Sequence, residues 1–595
     1  MKRKDRKRMI KKLASRVREY KKQAIATPLF MIGEVAMEAL IPMIMAWLID
    51  RGIGTDEHPG SMEQIFLYGG LLLAAAVVSL ISGVLAGRMA AVSSAGFARN
   101  LRHDMYYRIQ DFSFANIDKF STASIITRLT TDVTNVQNSF QMILRMAVRA
   151  PLTLLFSLIM AMTINARISM VFLIALPILG VGIYLIMSRT HPIFQRVFKT
   201  YDKLNNVVQE NLRGIRVVKS FVREDYEEKK FKIISNTIYT DFVKAEKNIA
   251  FMNPLMMTCI FTCTLIIAWL GAHEIVKSGN DIANGMTTGQ LMSLITYTIQ
   301  ILSSLMMVSF TFLMITMSRA SAQRIVEILD EESDIVSPEN AVTVVKDGSI
   351  DFDHVSFRYK KDSERETLED IDLHIPSGAV VGILGGTGSG KSSLVQLIPR
   401  LYDATEGTVR IGGVDAKEYD LTALRDGVAM VLQKNELFSG TIKDNLRWGN
   451  ESATDEEMEE ACRLAQADLF IQDFPDKYET KIEQGGTNVS GGQKQRLCIA
   501  RALLKKPKIL ILDDSTSAVD TRTDAQIRAG FRSYIPETTK LIIAQRVSSV
   551  QDADIIVVLD NGRVVDTGKH EELLERCEIY REVYESQTKG GGADE

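Results

Sequence analysis

The segment GILGGTGSGKSSLVQL contains glycine, lysine and serine at a spacing typical of phosphate binding. Gly385, Gly390, Lys391 and Ser392 fit the pattern GxxxxGK[ST]. The glycines let backbone N–H groups wrap a phosphate, and the following helix directs its positive end at the same group. Lys391 is predicted to reach the β- and γ-phosphates of a nucleotide, and Ser392 to ligate Mg²⁺. The predicted phosphate-binding residues are Gly385, Gly386, Thr387, Gly388, Ser389, Gly390, Lys391, Ser392 and Ser393.

Two later motifs extend this chemistry. The run ILILD, residues 509–513, reads as a buried strand whose terminal Asp513 holds Mg²⁺ directly or through water. An apolar run ending in aspartate is weak evidence by itself. Between the two motifs lies NVSGGQKQR, residues 488–496. Its Ser490, Gly491, Gly492 and Gln493 are predicted to form a second phosphate-binding turn that opens a helix.

The three motifs, in this order, resemble the nucleotide-binding domain of the ABC transporter superfamily. The resemblance implies that ATP and Mg²⁺ are bound and that ATP hydrolysis drives transport across a membrane. It places Tyr359 of VSFRYK against adenine, although a tyrosine on any half-buried strand would look alike. It gives Gln433 of VLQKNELFSGTI a contact with Mg²⁺ and water. The turn at residues 517–520, SAVD, matches the one through which paired ATPase domains communicate.

Val519 in SAVD stands where the family usually has leucine, which is a mild departure, and two other positions depart more strongly from the family pattern. Asp514 stands where the family usually has the glutamate that polarises the attacking water, and Gln545 stands where it usually has histidine. Aspartate is one methylene shorter, and a displacement of ~1 Å can cost roughly 10²-fold in rate. Glutamine donates a hydrogen bond but cannot become a cation. Together the two changes favour a site that binds ATP and hydrolyses it slowly.

The resemblance also implies a dimer. In the family, each ATP lies between the P-loop of one ATPase domain and the SGGQ turn of the other. A weakened site with an intact SGGQ predicts a heterodimer, whose second half-transporter supplies the competent site. The alternatives are a homodimeric exporter or lipid flippase with slow hydrolysis and, from another class, an ATP-gated channel or receptor. Short linkers without a regulatory insertion disfavour the channel.

The residues before this domain are predicted to cross a membrane. Six apolar stretches are long enough to span about 30 Å of hydrocarbon: residues 25–48, 65–92, 141–164, 168–188, 249–272 and 287–312. The basic run at residues 1–22 favours a cytoplasmic N-terminus over a nucleic-acid arm, and an even number of spans places the ATPase domain on the same side. The predicted fold is an α-helical transmembrane domain of exporter type, with long cytoplasmic extensions, followed by an α/β P-loop ATPase domain.

Length and composition set the domain boundaries. A chain of 595 residues with 46% hydrophobic and 24% charged residues is too long for one domain. Five cysteines without a CxxC pair predict neither zinc nor a disulfide framework. The compact layout without an organelle-type leader favours a bacterial cell membrane. The predicted parts are a basic cytoplasmic segment at 1–24, the transmembrane domain at 25–320, a linker at 321–345, the ATPase domain at 346–582 and a disordered tail at 583–595.

The transported substrate is the least determined feature. The sixth span is rich in methionine and aromatic residues and carries Gln300, which suits hydrophobic or amphipathic compounds but also suits packing or lipid contact. Glu34 and Glu38 lie at i, i+4 in the first span, and Arg145 and Arg149 lie at i, i+4 in the third. Charges at this depth usually pair or face a cavity. We expect a structural pairing of these spans; the alternative is a glutamate that attracts cationic substrates or couples protons.

Overall fold

The computed structural model describes residues 3–54, 60–280, 285–359, 365–514 and 521–590. The chain forms two compact units. The first comprises residues 1–110 and 122–331, and the second comprises residues 111–121 and 332–595. The short segment 111–121, which follows the second predicted span, therefore packs with the second unit.

Helices make up the first part of the chain. They are α1 Arg3–Ser15, α2 Lys21–Trp47, α3 Met62–Gln110, α4 Phe114–Lys119, α5 Thr122–Thr127, α6 Val133–Ile164, α7 Ala166–Arg213, α8 Ile215–Ser220, α9 Glu224–Ala250, α10 Met252–Ser278 and α11 Thr288–Asp330. Helix α4 lies in the second unit. π-Helical turns, which are wider than α-helical ones, extend α2 at Leu48–Ile53 and precede α6 at Arg128–Asp132.

Within the described residues, six helical stretches are long and apolar enough to cross a membrane, which confirms the predicted spans. They are Arg18–Ile53, Met62–Gln110, Thr122–Ile164, Ala166–Arg213, Glu224–Ser278 and Thr288–Asp330. The second and fourth contain 49 and 48 residues, whereas about 20 residues are enough to cross hydrocarbon. The excess length is the polar helical extension that the sequence predicts.

Two polar side chains of α11 have hydrogen-bond partners on other helices, the arrangement that a membrane favours. The hydroxyl of Tyr297, a fully buried residue of α11, donates to the carbonyl of Ala39 at 2.6 Å. Gln300 Oε1 accepts a hydrogen bond from Ser157 at 2.7 Å. Gln300 thus links α11 to α6.

The predicted pairing of charged residues in the first and third spans is observed. Arg149 donates through Nη1 to Glu34 at 2.5 Å and through Nη2 to both oxygens of Glu38 at 2.7 and 2.9 Å. Glu34 is only 7% exposed. The buried Nε of Arg145, in contrast, has no hydrogen-bond partner among the described residues. One arginine therefore holds both glutamates.

Strands and short helices alternate in the rest of the second unit. They are β1 Ile350–Phe357, β2 Leu368–Ile375, β3 Val380–Leu384, α12 Lys391–Leu397, β4 Glu406–Ile411, β5 Val414–Asp415, α13 Leu421–Gly427, β6 Val428–Val431, β7 Gly440–Thr441, α14 Ile442–Arg447, α15 Asp455–Leu464, α16 Asp468–Gln472, β8 Lys481–Ile482, α17 Gly491–Leu504, β9 Ile509–Asp513, α18 Thr521–Tyr534, β10 Thr539–Ile543, β11 Ile555–Asp560, β12 Arg563–Gly568, α19 His570–Arg576 and α20 Glu578–Gly590.

A six-stranded sheet forms the centre of this unit, in the order β12-β11-β3-β10-β9-β6. The five strands from β11 to β6 are parallel, and β12 is an antiparallel edge strand. Every residue of β9 and β10 is buried, because helices cover both faces of such a sheet. A smaller antiparallel sheet has the order β2-β1-β4-β5.

The predicted linker, the basic N-terminal segment and the predicted tail all contain helical residues. Helix α11 runs to Asp330, inside the predicted linker at 321–345. Helix α1 lies within the basic N-terminal segment, and Lys12 Nζ donates to the carbonyl of Leu329 at 2.8 Å. Residues 583–590 of the predicted tail continue α20, and residues 591–595 lie outside the described part of the chain.

Candidate nucleotide-binding site

The candidate site lies at the carboxyl edge of the parallel sheet. The glycine-rich loop follows β3, Gln433 follows β6, Asp514 follows β9 and Gln545 follows β10. These four strands are neighbours and run in the same direction, so their carboxyl ends meet at one edge. Ligands of open α/β sheets usually bind at this edge.

The glycine-rich loop has a shape that other residues cannot adopt without strain. Gly388 and Gly390 have φ values of 83° and 97°, in the left-handed region that favours glycine. A Cβ at Gly385 would lie 2.1 Å from the carbonyl oxygen of Leu559. At Gly386 and Gly388, in contrast, an added Cβ would meet no atom within 4 Å. The loop therefore packs closely on one side and leaves an open cradle on the other.

Lys391 folds back over this loop. Its Nζ donates to the carbonyls of Gly385 and Gly386, each at 2.7 Å. Burial lowers the pKa of Lys391, and the neighbouring carboxylates of Asp513 and Asp514 oppose that shift. A cation is thus held at the mouth of the cradle, as phosphate binding requires.

Ser392 and Asp513 bring two oxygen ligands together. The Ser392 hydroxyl donates to Asp513 Oδ1 at 3.0 Å, and Asp513 is only 4% exposed. Burial raises the pKa of Asp513, and the Asp514 charge adds to this, whereas the Ser392 hydrogen bond and Lys391 lower it. A hydroxyl beside a carboxylate fits Mg²⁺, which prefers oxygen ligands. Bound there, the ion would neutralise charge on the phosphate oxygens.

Asp514 is held by two glutamines. Its Oδ2 accepts hydrogen bonds from Gln433 Nε2 at 3.3 Å and from Gln545 Nε2 at 3.0 Å. The backbone of Asp514 has φ 47°, an uncommon value for a residue with a side chain, and its N–H donates to the carbonyl of Ile543 at 3.1 Å. Gln433 thus contacts the second aspartate, whereas Ser392 contacts the first.

Tyr359 lies beside the first turn of α12. Its hydroxyl is 2.9 Å from Ser393 Oγ and donates to Gln396 Oε1 at 3.3 Å. The residue is 46% exposed, so much of its ring is open to solvent. An aromatic surface next to the phosphate loop suits stacking on a base.

The SGGQ turn is built as a helix cap. Ser490 Oγ accepts from the N–H of Gln493 at 3.2 Å, and Gln493 Oε1 accepts from the N–H of Ser490 at 2.9 Å. Gln493, predicted to bind nucleotide, therefore closes the first turn of α17. The hydrogen bonds described for Ser490 and Gln493 join them to each other and not to the glycine-rich loop. The SAVD turn at residues 517–520 lies outside the described residues.

Comparisons with known proteins agree with this arrangement. Residues 25–331 match the family model described as ABC transporter transmembrane region, and residues 368–517 match the model described as ABC transporter. The ABC transporter ATP-binding protein YfiB of Bacillus subtilis is 35% identical over 585 residues, covering 98% of this chain and 100% of its own. Rv1273c of Mycobacterium tuberculosis is 34% identical, covering 97% and 98%. YknU of B. subtilis is 34% identical, covering 82% and 83%.

The chain therefore belongs to the ABC transporter family. It has the layout of an exporter-type half-transporter, with six membrane-spanning helices followed by one ATPase domain. It is a multi-pass membrane protein, and these relatives are bacterial. ATP-hydrolysing transport is the activity of the family, and half-transporters of this kind generally act as dimers.

Proposed function

We propose that this chain is one half of a heterodimeric ABC exporter and that its own ATP site binds Mg²⁺ and ATP but hydrolyses ATP slowly. The observation that carries the proposal is the pair of hydrogen bonds from Gln433 and Gln545 to one oxygen of Asp514. The family position of this aspartate is that of the general base.

Two physical effects weaken Asp514 as a base. Its side chain is one methylene shorter than glutamate, and a displacement of ~1 Å can cost roughly 10²-fold in rate. The second effect is geometric: Gln433 and Gln545 both donate to Oδ2, so this oxygen is already engaged by two amides and is not turned toward an attacking water. Gln545 supplies a neutral donor where a protonated histidine would supply a cation to the γ-phosphate.

The residues proposed to bind Mg²⁺ and ATP lie around the glycine-rich loop. Residues 385–390 form the cradle that binds the phosphates, and the ammonium group of Lys391 neutralises part of their negative charge. Ser392 and Asp513 hold Mg²⁺, and Tyr359 stacks on adenine. Ser490, Gly491 and Gly492 complete the ATP site of the partner subunit, because the capped start of α17 presents backbone N–H groups to an anion. Asp514 and Gln545 then set the low rate at this chain's own site.

The proposed cargo is a hydrophobic or amphipathic compound. Four large apolar residues of α11 are exposed in the described chain, namely Met292 at 53%, Ile299 at 49%, Phe310 at 51% and Phe312 at 71%. Gln300, a polar residue in the apolar stretch of this helix, is already hydrogen-bonded to Ser157. The helix thus offers apolar rather than polar contacts, and methionine adapts its shape to varied apolar ligands.

The test is to purify the full chain alone and measure ATP binding and hydrolysis side by side. We expect Mg²⁺-dependent ATP binding with a turnover roughly 10²-fold below that of the assembly recovered with its partner. Lys391→Ala, the control, should lose binding. Brisk hydrolysis by the chain alone, stimulated by amphipathic compounds, would instead identify a homodimer with Asp514 as a working base. ATP-dependent uptake of such compounds into inverted vesicles tests the cargo.

A further inference from the structure

Tyr359 is held in place by a second tyrosine, Tyr402. The two ring centroids are 5.1 Å apart and the ring planes meet at 88°, an edge-to-face arrangement. Phe357 contacts both rings, at 4.8 Å from Tyr359 and 5.6 Å from Tyr402. Since the Tyr359 hydroxyl is also bonded at Ser393, the ring is fixed at its edge and at its tip while remaining 46% exposed.

The hydroxyl of Tyr402 has a partner distant in sequence. Tyr402 is 9% exposed and donates to Asp118 Oδ2 at 2.7 Å, although the two residues are 284 positions apart. Burial raises the pKa of Tyr402, and the Asp118 carboxylate adds to this shift. The hydroxyl therefore remains a donor throughout the physiological range.

Asp118 belongs to the segment 111–121, which is fastened to the second unit by more than this one bond. Ser113 Oγ donates to Asp334 at 2.6 Å, and Asn116 Nδ2 donates to the carbonyl of Glu332 at 3.2 Å. The ring of Phe114 lies 6.0 Å from that of Tyr402. Tyr402 thus contacts α4 on one side and Tyr359 on the other.

We propose that Tyr402 is a positioning residue for the nucleotide base. It fixes the ring of Tyr359 for stacking, and Asp118 fixes Tyr402, so affinity for the base depends on the docked segment 111–121. The proposal rests on the proposed role of Tyr359. Because binding couplings are reciprocal, ATP should also stabilise the docked segment.

The experiment compares two ligands with the full chain in lipid nanodiscs. Dissociation constants are measured by calorimetry for Mg²⁺ with ATP and for Mg²⁺ with inorganic tripolyphosphate, which has no base. Tyr402→Leu should weaken ATP binding about two- to tenfold, the size of an edge-to-face aromatic contact. Tyr402→Phe and Asp118→Asn should weaken it less. Tripolyphosphate binding should change by less than about twofold in all three.

Controls separate the possible failures. Tyr419→Phe removes another buried tyrosine hydroxyl, bonded to the carbonyl of Ile411 at 2.8 Å, and should leave both affinities unchanged. The positioning role is wrong if Tyr402→Leu weakens the binding of ATP and of tripolyphosphate equally. It is also wrong if the variant weakens the binding of neither ligand. If Tyr359→Ala leaves ATP binding unchanged, the proposed adenine contact is itself wrong. If Tyr359→Ala weakens ATP alone while Tyr402→Leu has no effect, only the inference about Tyr402 fails.

The reciprocal effect has its own readout. In hydrogen–deuterium exchange, ATP should slow exchange of the amides of residues 113–120 in the native chain. This protection should be reduced in Tyr402→Leu and kept in Tyr419→Phe. Equal protection in the native chain and Tyr402→Leu would overturn the link between the base and the segment.

Discussion

The carboxamide of Gln545 donates to Oδ2 of Asp514 at 3.0 Å, and the same oxygen accepts from Gln433. Both donors are neutral, and both occupy an oxygen that a general base would turn toward water. The two residues that differ from the family pattern therefore contact each other: Gln545, which replaces the histidine, donates to Asp514, the shorter carboxylate that replaces the glutamate. We interpret this arrangement as the physical basis of a site that retains ATP.

Removal of the shared arginine in the membrane domain should be strongly destabilising. Arg149→Met leaves Glu34 and Glu38 without their common partner, and breaking a buried ion pair typically costs about 3–5 kcal/mol. The thermal unfolding midpoint of the full chain should fall accordingly. The variant that also carries Glu34→Gln and Glu38→Gln should recover much of the loss. A single variant as stable as the native chain would exclude a structural role for the pair.

The cap of α17 should have two separable effects. Ser490→Ala removes a helix cap and should cost about 1 kcal/mol of stability. Thr454→Ala removes an equivalent capping box from α15 and is the matched control. Both variants should lower the unfolding midpoint similarly, but only Ser490→Ala should reduce ATP hydrolysis in the assembly purified through a tag on this chain. Equal hydrolysis in the two variants would contradict the role of the SGGQ turn.

Lys540 is a buried cation that should destabilise the ATPase unit. It is 2% exposed, its Nζ lies 3.4 Å from the carbonyl of Pro536, and burial lowers the pKa of its ammonium. The unfolded chain then binds the proton more tightly, so this contribution to stability rises as pH approaches the ordinary value of 10.5. Lys540→Met should raise the unfolding midpoint, most at neutral pH and less at alkaline pH.

The control for this variant is Lys434→Met, at a lysine whose side chain is 91% exposed. It should leave the midpoint unchanged at every pH. If Lys540→Met lowers the midpoint at neutral pH, the ammonium contributes a stabilising contact that outweighs its desolvation.

The spans and the strand–loop–helix setting of the glycine-rich loop could be predicted from the sequence because those signals are local. A run of apolar residues fixes a span, and the spacing of Gly385, Gly390 and Lys391 fixes the loop. The contacts of Asp514 were not predictable, since Gln433 and Gln545 lie 81 and 31 residues away and meet it only through the order of the parallel strands. The role proposed for Tyr402 could not be predicted from the sequence, because it depends on a hydrogen bond to Asp118, which lies 284 positions away.

The most direct test of the central claim restores both family residues. The full chain and its Asp514→Glu, Gln545→His double variant are purified alone, and ATP hydrolysis, ATP affinity and oligomeric state are measured for both. We predict similar ATP affinity and oligomeric state, with hydrolysis rising roughly 10²-fold in the double variant, and Lys391→Ala abolishing the gain. A native chain that already hydrolyses ATP briskly, with no gain in the double variant, would contradict the account.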